Sequence, residues 1–395
     1  MILLLQILLM LLLLMLAVPA LVLLAQVLAA RWAAPRATPA SPERPRVAVL
    51  VPAHNEAGGI AEVLAGIRAQ LVNGDRLLVV ADNCSDTTAA IARQAGAEVS
   101  ERFHDSLRGK GYALDHGLRQ LAQDPPEVLV VVDADCLLGD GALDAIARAC
   151  WRSGRPAQAL YLMHTPPGAG SLRRIAEFAW RVKNLVRPLG WQKLGLPCQL
   201  MGTGMAFSWR QIGQVDLATG HIVEDMKLGV DLARNGQAPL FCPQALVYSH
   251  FPGSDSGATT QRTRWEHGHL SVILGYVPRL LMAALVSGNA ALAALALDLC
   301  VPPLALLVLL GAAAWMVTAG LWLVSAWGLP LLVASLVLGA IGAAVLLAWS
   351  GFGRQVISLR ELSQAFAYAA RKLPLYVKFM FNRQVEWVRS KRDSE

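Results

Sequence analysis

Charge is missing from two long stretches of this 395-residue sequence. Residues 2–30 and residues 299–353 contain no Asp, Glu, Lys or Arg. A helix needs about 20 apolar residues to cross a bilayer. The first stretch is therefore read as one span and the second as two, divided at Trp327-Gly328-Leu329-Pro330. Expected spans lie in 1–30, near 304–326 and near 330–350. Lys and Arg are also missing from Met1–Gln6. A cleaved signal peptide would be positive there and would have a core of only about 7–15 apolar residues, so a retained span is favoured. The six cysteines (84, 136, 150, 198, 242, 300) include no C-x-x-C pair, which argues against a disulfide frame or zinc finger and fits a reducing compartment. The eight histidines show no metal-ligand spacing, and the P-loop pattern G-x-x-x-x-G-K-[ST] does not occur.

What charge there is lies beside the apolar stretches. Arg31, Arg36, Arg44 and Arg46 follow the first, and Arg371, Lys372, Lys378, Arg383, Arg389, Lys391 and Arg392 follow the last. By the positive-inside rule both flanks are cytoplasmic. Three spans with the middle of the chain inside satisfy both flanks, as in a multi-pass protein of a bacterial-type inner membrane. The net charge of +7 is then explained by attraction to anionic lipid, and no nucleic acid partner is expected. The expected layout is a helix at 1–30, a Pro-rich linker at 31–46, and a catalytic domain at 47–270. An amphipathic interfacial segment at 271–300, two spans within 301–351 and a basic tail at 352–395 follow.

Between the apolar stretches, short apolar runs alternate with helical patterns. Strands are expected at 47–53, 76–82, 97–103 and 127–133, with helices at 60–71, 87–96, 112–122 and 141–151. That alternation predicts an α/β fold, a mostly parallel sheet flanked by helices. Ligands bind such sheets at the carboxyl ends of the strands. Polar residues fall there after three strands: His54-Asn55-Glu56, Asp82-Asn83, and Asp133 with Asp135.

Asp133 and Asp135 stand at i and i+2, which in extended chain points both carboxylates to one side. Like charges at that distance repel unless a cation joins them. Hard oxygen ligands suit Mg²⁺ or Mn²⁺, commonly shared with a substrate diphosphate. Alternatively, the pair caps the following helix. Glu224 and Asp225 open an expected helix, where its positive end favours ionised carboxylates. Asp225 is either a dipole partner or a proton acceptor. If helical, Gln261, Arg264 and Trp265 share one face, suited to phosphate and sugar, or else a buried Trp beside a solvated Arg. Arg108-Gly109-Lys110-Gly111 and Gly202-Thr203-Gly204 are turns that either let a ligand approach the backbone or merely reverse the chain.

The ordered set VPAHNE (51–56), DNCSD (82–86), RGKGYAL (108–114), DAD (133–135), GTGMAF (202–207), VED (223–225) and QRTRW (261–265) resembles the family-2 glycosyltransferases of GT-A fold. More narrowly, it is similar to the membrane-bound branch with cellulose, chitin and hyaluronan synthases and ceramide glucosyltransferase. The resemblance spans about residues 47–270. It implies that Ala53, Glu56 and Asp82 hold uridine, that Lys110 lies near the nucleotide, and that Asp133 and Asp135 bind nucleotide and Mg²⁺ or Mn²⁺. Asp135 would be the direct metal ligand and Asp225 the base. Gln261, Arg264 and Trp265 would close over the diphosphate, with Gly202, Thr203, Gly204 and Glu224 towards the acceptor.

The expected reaction is inverting transfer of a hexose from a UDP-sugar to a membrane-embedded acceptor lipid or glycan, in cell-surface polysaccharide or glycolipid synthesis. Three spans are few to enclose a polar channel, since backbone in lipid must stay helical. A single transfer is therefore favoured over a processive polysaccharide synthase. A non-enzymatic sugar-nucleotide sensor would dispense with Asp225 and the Arg264-Trp265 pair. A metal-dependent phosphohydrolase would not need the Gln-Arg-Trp set.

Overall fold

The computed structural model describes residues 2–32, 43–213, 215, 217–218, 223–252 and 255–381. Parts of the expected linker and the basic residues Arg36, Arg383, Arg389, Lys391 and Arg392 lie outside the described residues. The chain divides into two compact units. One contains residues 36–166 and 197–268; the other contains 1–35, 167–196 and 269–383. Residues 167–196 thus group with the apolar helices, whereas the alternating pattern of the sequence keeps them in one continuous domain.

The first unit is built on a sheet of eight strands: β1 (Val47–Ala53), β2 (Arg76–Asp82), β3 (Glu98–Arg102), β4 (Val128–Val131), β5 (Leu137–Leu138), β6 (Ala157–His164), β7 (Met205–Ser208) and β8 (Leu240–His250). Their order is β3-β2-β1-β4-β7-β6-β8-β5. Pairing is parallel from β3 to β4 and between β6 and β8. It is antiparallel where β7 meets β4 and β6, and where β5 meets β8. The sheet is therefore mixed, its first half being the parallel array expected from the apolar runs. Alternate residues of those runs share a face: Ala48 and Leu50, Leu78 and Val80, and Leu129 and Val131 join Leu114, Leu118 and Leu228 in one core.

Helix Lys110–Leu121 lies close on that face because Gly117 has no side chain. A Cβ there would stand 2.5 Å from Leu50 Cδ1. This approach sets Lys110, the helix's first residue, at the strand ends. The helix begins earlier than the expected residue 112.

Among the described residues, the second unit contains three helices long and apolar enough to cross a membrane: Leu4–Trp32, Leu304–Ser325 and Gly328–Gly353. The pair Thr259–Gly275 and Val277–Ser287, bent by 42°, also passes that test if taken as one broken span. Leu23, Val27 and Ala30 pack with Val182 and Val186 from the 167–196 segment and with Ile341 and Ala344. Within this apolar packing lies a buried polar knot. Gln26 Nε2 donates to Asp298 Oδ1 at 2.7 Å. Arg187 donates from Nε to Gln26 Oε1 at 3.1 Å and from Nη2 to Asp298 Oδ1 at 2.9 Å. The donors and acceptors answer one another, as buried charge requires.

Candidate active site

The loops after β1 and β2 are stitched together at their tips. Ser85 N donates to Asn55 Oδ1 at 2.8 Å, Glu56 N to Thr88 Oγ1 at 2.7 Å, and Ala57 N to Asp86 Oδ2 at 3.1 Å. His54 Nδ1 stands 2.7 Å from the Asp82 carbonyl. The two motifs VPAHNE and DNCSD thus form one surface. Ala53 is buried at its base and Glu56 is half-buried. Asp82 is buried and paired with Arg102, whose Nη1 is 2.5 Å from Asp82 Oδ1. Asn83 Nδ2 donates to the same oxygen at 3.1 Å.

Next to β1, β4 ends at Val131 and the chain turns. Cys136 N donates to Asp133 O at 3.0 Å. This differs from the extended i, i+2 arrangement expected. The turn, and not strand alternation, brings the two carboxylates together. Ligand atoms of Asp133, Asp135 and Cys136 all lie within 4.8 Å of one another. Asp135 is exposed and Asp133 half-buried. Burial pushes the Cys136 thiol well above its usual range, and Asp135 and Asp133 add to the rise. The two hard carboxylates in this group suit Mg²⁺ or Mn²⁺.

Lys110 Nζ forms an ion pair with Asp133 Oδ1 and donates to the Gly202 carbonyl at 2.8 Å. Burial opposes its charge, but Asp133, Glu224 and Asp225 outweigh burial and raise its pKa. The Asp133 carboxyl is raised by burial and by Asp135, against the pull of Lys110. Glu224 and Asp225 open helix Glu224–Arg234, as expected from the sequence. Burial pushes Glu224 up to about 7, with Asp225 adding and Lys110 opposing. A methyl placed on Gly202 would stand 3.5 Å from Asp225 Oδ2 and 3.8 Å from Lys110 Nζ.

The structure thus gathers Lys110, Asp133, Asp135, Gly202, Thr203, Glu224 and Asp225 around one turn. Four carboxylates face one ammonium there, an imbalance that favours a bound cation. Thr203, read from the sequence as facing an acceptor, is fully buried. Its Oγ1 accepts from Asp133 N at 3.0 Å, so it supports the aspartate. Gly204 lies at φ +62°, and a Cβ there would meet Ala159 and Val247 at 2.7 Å; both features require glycine. Gln261, Arg264 and Trp265 form a second group, half-buried on helix Asp255–Gly275.

Sequence reasoning missed Arg102, Thr88, Cys136 and Gln158. Arg102 alone left a signal, as a polar residue near the end of an expected strand. The partners of Arg102 and Gln158 lie 20 and 43–46 residues away, beyond the reach of local patterns.

The half-parallel sheet, with carboxylates clustered at its strand ends, has the GT-A fold. The mannosyltransferase PcManGT from Pyrobaculum calidifontis, solved in complex with GDP-Man and Mn²⁺, shares the fold. It has a TM-score of 0.53 and 19% identity, over 93% of this chain and 100% of that one. Residues 45–268 match the family model "Glycosyltransferase like family 2", and the chain belongs to that family. It is similar to the probable glycosyltransferase YdaM of Bacillus subtilis, 26% identical over 266 residues, 60% of this chain and 58% of that protein. It is also similar to the 4,4'-diaponeurosporenoate glycosyltransferase of Staphylococcus haemolyticus, 26% identical over 244 residues, 57% of this chain and 61% of that protein. The chain spans about three-fifths of the length of these curated relatives.

Proposed function

We propose that the protein transfers a hexose, with inversion, from a UDP-sugar to a hydroxyl of a membrane-associated, lipid-linked acceptor. The observation that carries this reading is the single turn at Gly202 that meets both Lys110, the partner of Asp133, and the Asp225 carboxylate. A group for the leaving nucleotide and a group for the attacking hydroxyl then face one reacting centre.

Asp225 accepts the proton of the acceptor hydroxyl as its oxygen attacks the anomeric carbon from the face opposite the diphosphate. Such proton transfer contributes about 10²–10⁴ in rate. Lys110 offers positive charge to the departing diphosphate while anchored to Gly202 O, so little reorganisation is needed as charge develops. Arg264 adds a guanidinium, which can take two phosphate oxygens at once. Asp133 and Asp135 would hold a divalent cation, which would neutralise charge growing on the leaving diphosphate. The Mn²⁺ that accompanies GDP-Man in PcManGT supports this assignment.

Uridine is favoured over guanosine by the state of Asp82. Its Oδ1 is engaged by Arg102 and Asn83, and we assign Oδ2 to the base. Uracil presents one imide N–H, whereas guanine presents an N–H and an adjacent amino group that together suit both oxygens of a carboxylate. The lipid-linked acceptor is supported by the three long apolar helices. The basic flanks of those helices support a cytoplasmic location for the sheet unit, roughly 47–270, at the cell membrane.

The test uses the full chain in nanodiscs with a membrane lipid extract. UDP-glucose, UDP-galactose, UDP-N-acetylglucosamine and GDP-mannose are screened as donors. The expected result is a single sugar added from a UDP donor, lost on chelation and restored by Mn²⁺. Asp135→Ala is expected to lower turnover by about 10²–10³, the scale for removing one transition-state stabiliser. Full turnover of that variant in chelator would overturn the reading, and a ladder of products would replace single transfer by processive synthesis.

A further inference from the structure

We infer that Gln158, in the middle of β6, is a positioning residue that sets where Lys110 and Asp133 stand; this rests on the site reading above. β6 is otherwise apolar up to its final His164 (Ala157–His164, AQALYLMH), and Gln158 within it is 0% exposed. A buried carboxamide is unfavourable unless both its ends are bonded. Here both are, and all its loop partners lie in the turn before β7. Oε1 accepts from Met201 N at 2.8 Å. Nε2 donates to Thr203 O at 2.9 Å and, more weakly, to Gly204 O at 3.4 Å; its other acceptor is the neighbouring Ala159 O at 2.9 Å.

One side chain therefore ties residues 201, 203 and 204, on either side of Gly202. The atoms of this turn that face the site carry the reacting groups. Gly202 O receives Lys110 Nζ, and Thr203 Oγ1 receives Asp133 N. The Gly202 backbone also adjoins Asp225 Oδ2. A shift of the turn moves an ammonium and a carboxylate together. Only an amide suits the place. Glutamate keeps the acceptor but loses the donor, and methionine, of similar length, loses both. Misplacement of about 1 Å near reacting groups costs about 10²-fold in rate, while the outer parts of the nucleotide site, at Ala53 and Asp82, remain as they were.

The experiment compares Gln158→Met and Gln158→Glu with the parent chain in nanodiscs. Readouts are UDP release from UDP-glucose with lipid extract, UDP affinity by calorimetry with and without Mn²⁺, and Tm. The expected result is a kcat about 30–100-fold lower in both variants. KM for UDP-glucose and metal-free UDP affinity should stay within threefold of the parent. Thr203→Val, which removes the hydroxyl at the other end of the same path, is expected to show the same split. If Gln158→Met does not fold, the isosteric Gln158→Glu carries the comparison. A merely structural role would lower Tm and leave kcat of the folded protein within threefold of the parent, and that result overturns the inference. Asp133→Asn and Lys110→Met serve as references. If they abolish turnover while the Gln158 variants keep it, this inference alone fails. If they too keep turnover, the site reading fails and takes the inference with it.

Discussion

Both units bury charge, and they do so in opposite ways. In the helical unit, Arg187 and Asp298 balance each other and Gln26 fills the remaining positions. In the sheet unit, the half-buried Asp133, Glu224 and Asp225 share one Lys110, and the exposed Asp135 adds its charge beside Asp133. Balanced buried charge holds helices together and asks for nothing further. Unbalanced buried charge is unfavourable by itself and becomes favourable when a charged ligand arrives. The contrast separates a structural polar cluster from a reactive one without reference to any relative.

The contrast breaks first at Asp225. Replacing it with Asn keeps shape and removes the proton acceptor. Transfer is expected to fall by about 10²–10⁴, with donor KM within threefold and Tm unchanged or raised, because one repelling charge is gone. A Tm loss in place of a rate loss would make Asp225 structural. In the helical unit the expected signature is the reverse. Arg187→Met removes the guanidinium that balances the buried Asp298 charge, a loss of about 3–5 kcal/mol, read as a drop in Tm in detergent. The double change Arg187→Met with Asp298→Leu is expected to recover most of that stability. In the reactive cluster, Lys110→Met with Asp133→Leu should recover no activity.

The smallest effect is a pH dependence at Glu224. Its carboxyl titrates near 7 in the folded chain, above the ordinary value near 4.5, so the folded state holds a proton that the unfolded state has released. That contribution is fully present below about pH 4.5 and is lost as pH rises through about 7. Tm of the metal-free protein should therefore fall across that window, and Glu224→Gln should flatten the slope. An unchanged slope in the variant would assign the titration elsewhere.

Much of the fold was legible because apolar runs in a parallel sheet are continuous. β1 and β2 have the bounds read from the sequence, and helix Glu224–Arg234 starts at the acidic pair that marks its first turn. β5, with two residues, is too short to leave a pattern. Helix Ser171–Arg181 was not read from the sequence; the packing of its Ile175 and Phe178 against distant apolar helices reveals the unit it joins. The i, i+2 spacing of Asp133 and Asp135 predicts an extended chain, and a turn achieves the same meeting. Gln158 was invisible because no strand was expected around it, and a buried polar residue can be interpreted only once its partners are known.

The Gln26–Arg187–Asp298 knot also sets a timetable. Gln26 and Asp298 are 272 residues apart, and chains emerge from the ribosome at about 5–20 residues per second. Gln26 therefore waits about 8–32 s before Arg187, 161 residues later, is synthesised, and about 14–54 s before Asp298 is. Slowing translation between codons 187 and 298 would lengthen the interval during which the amide has Arg187 and not yet Asp298.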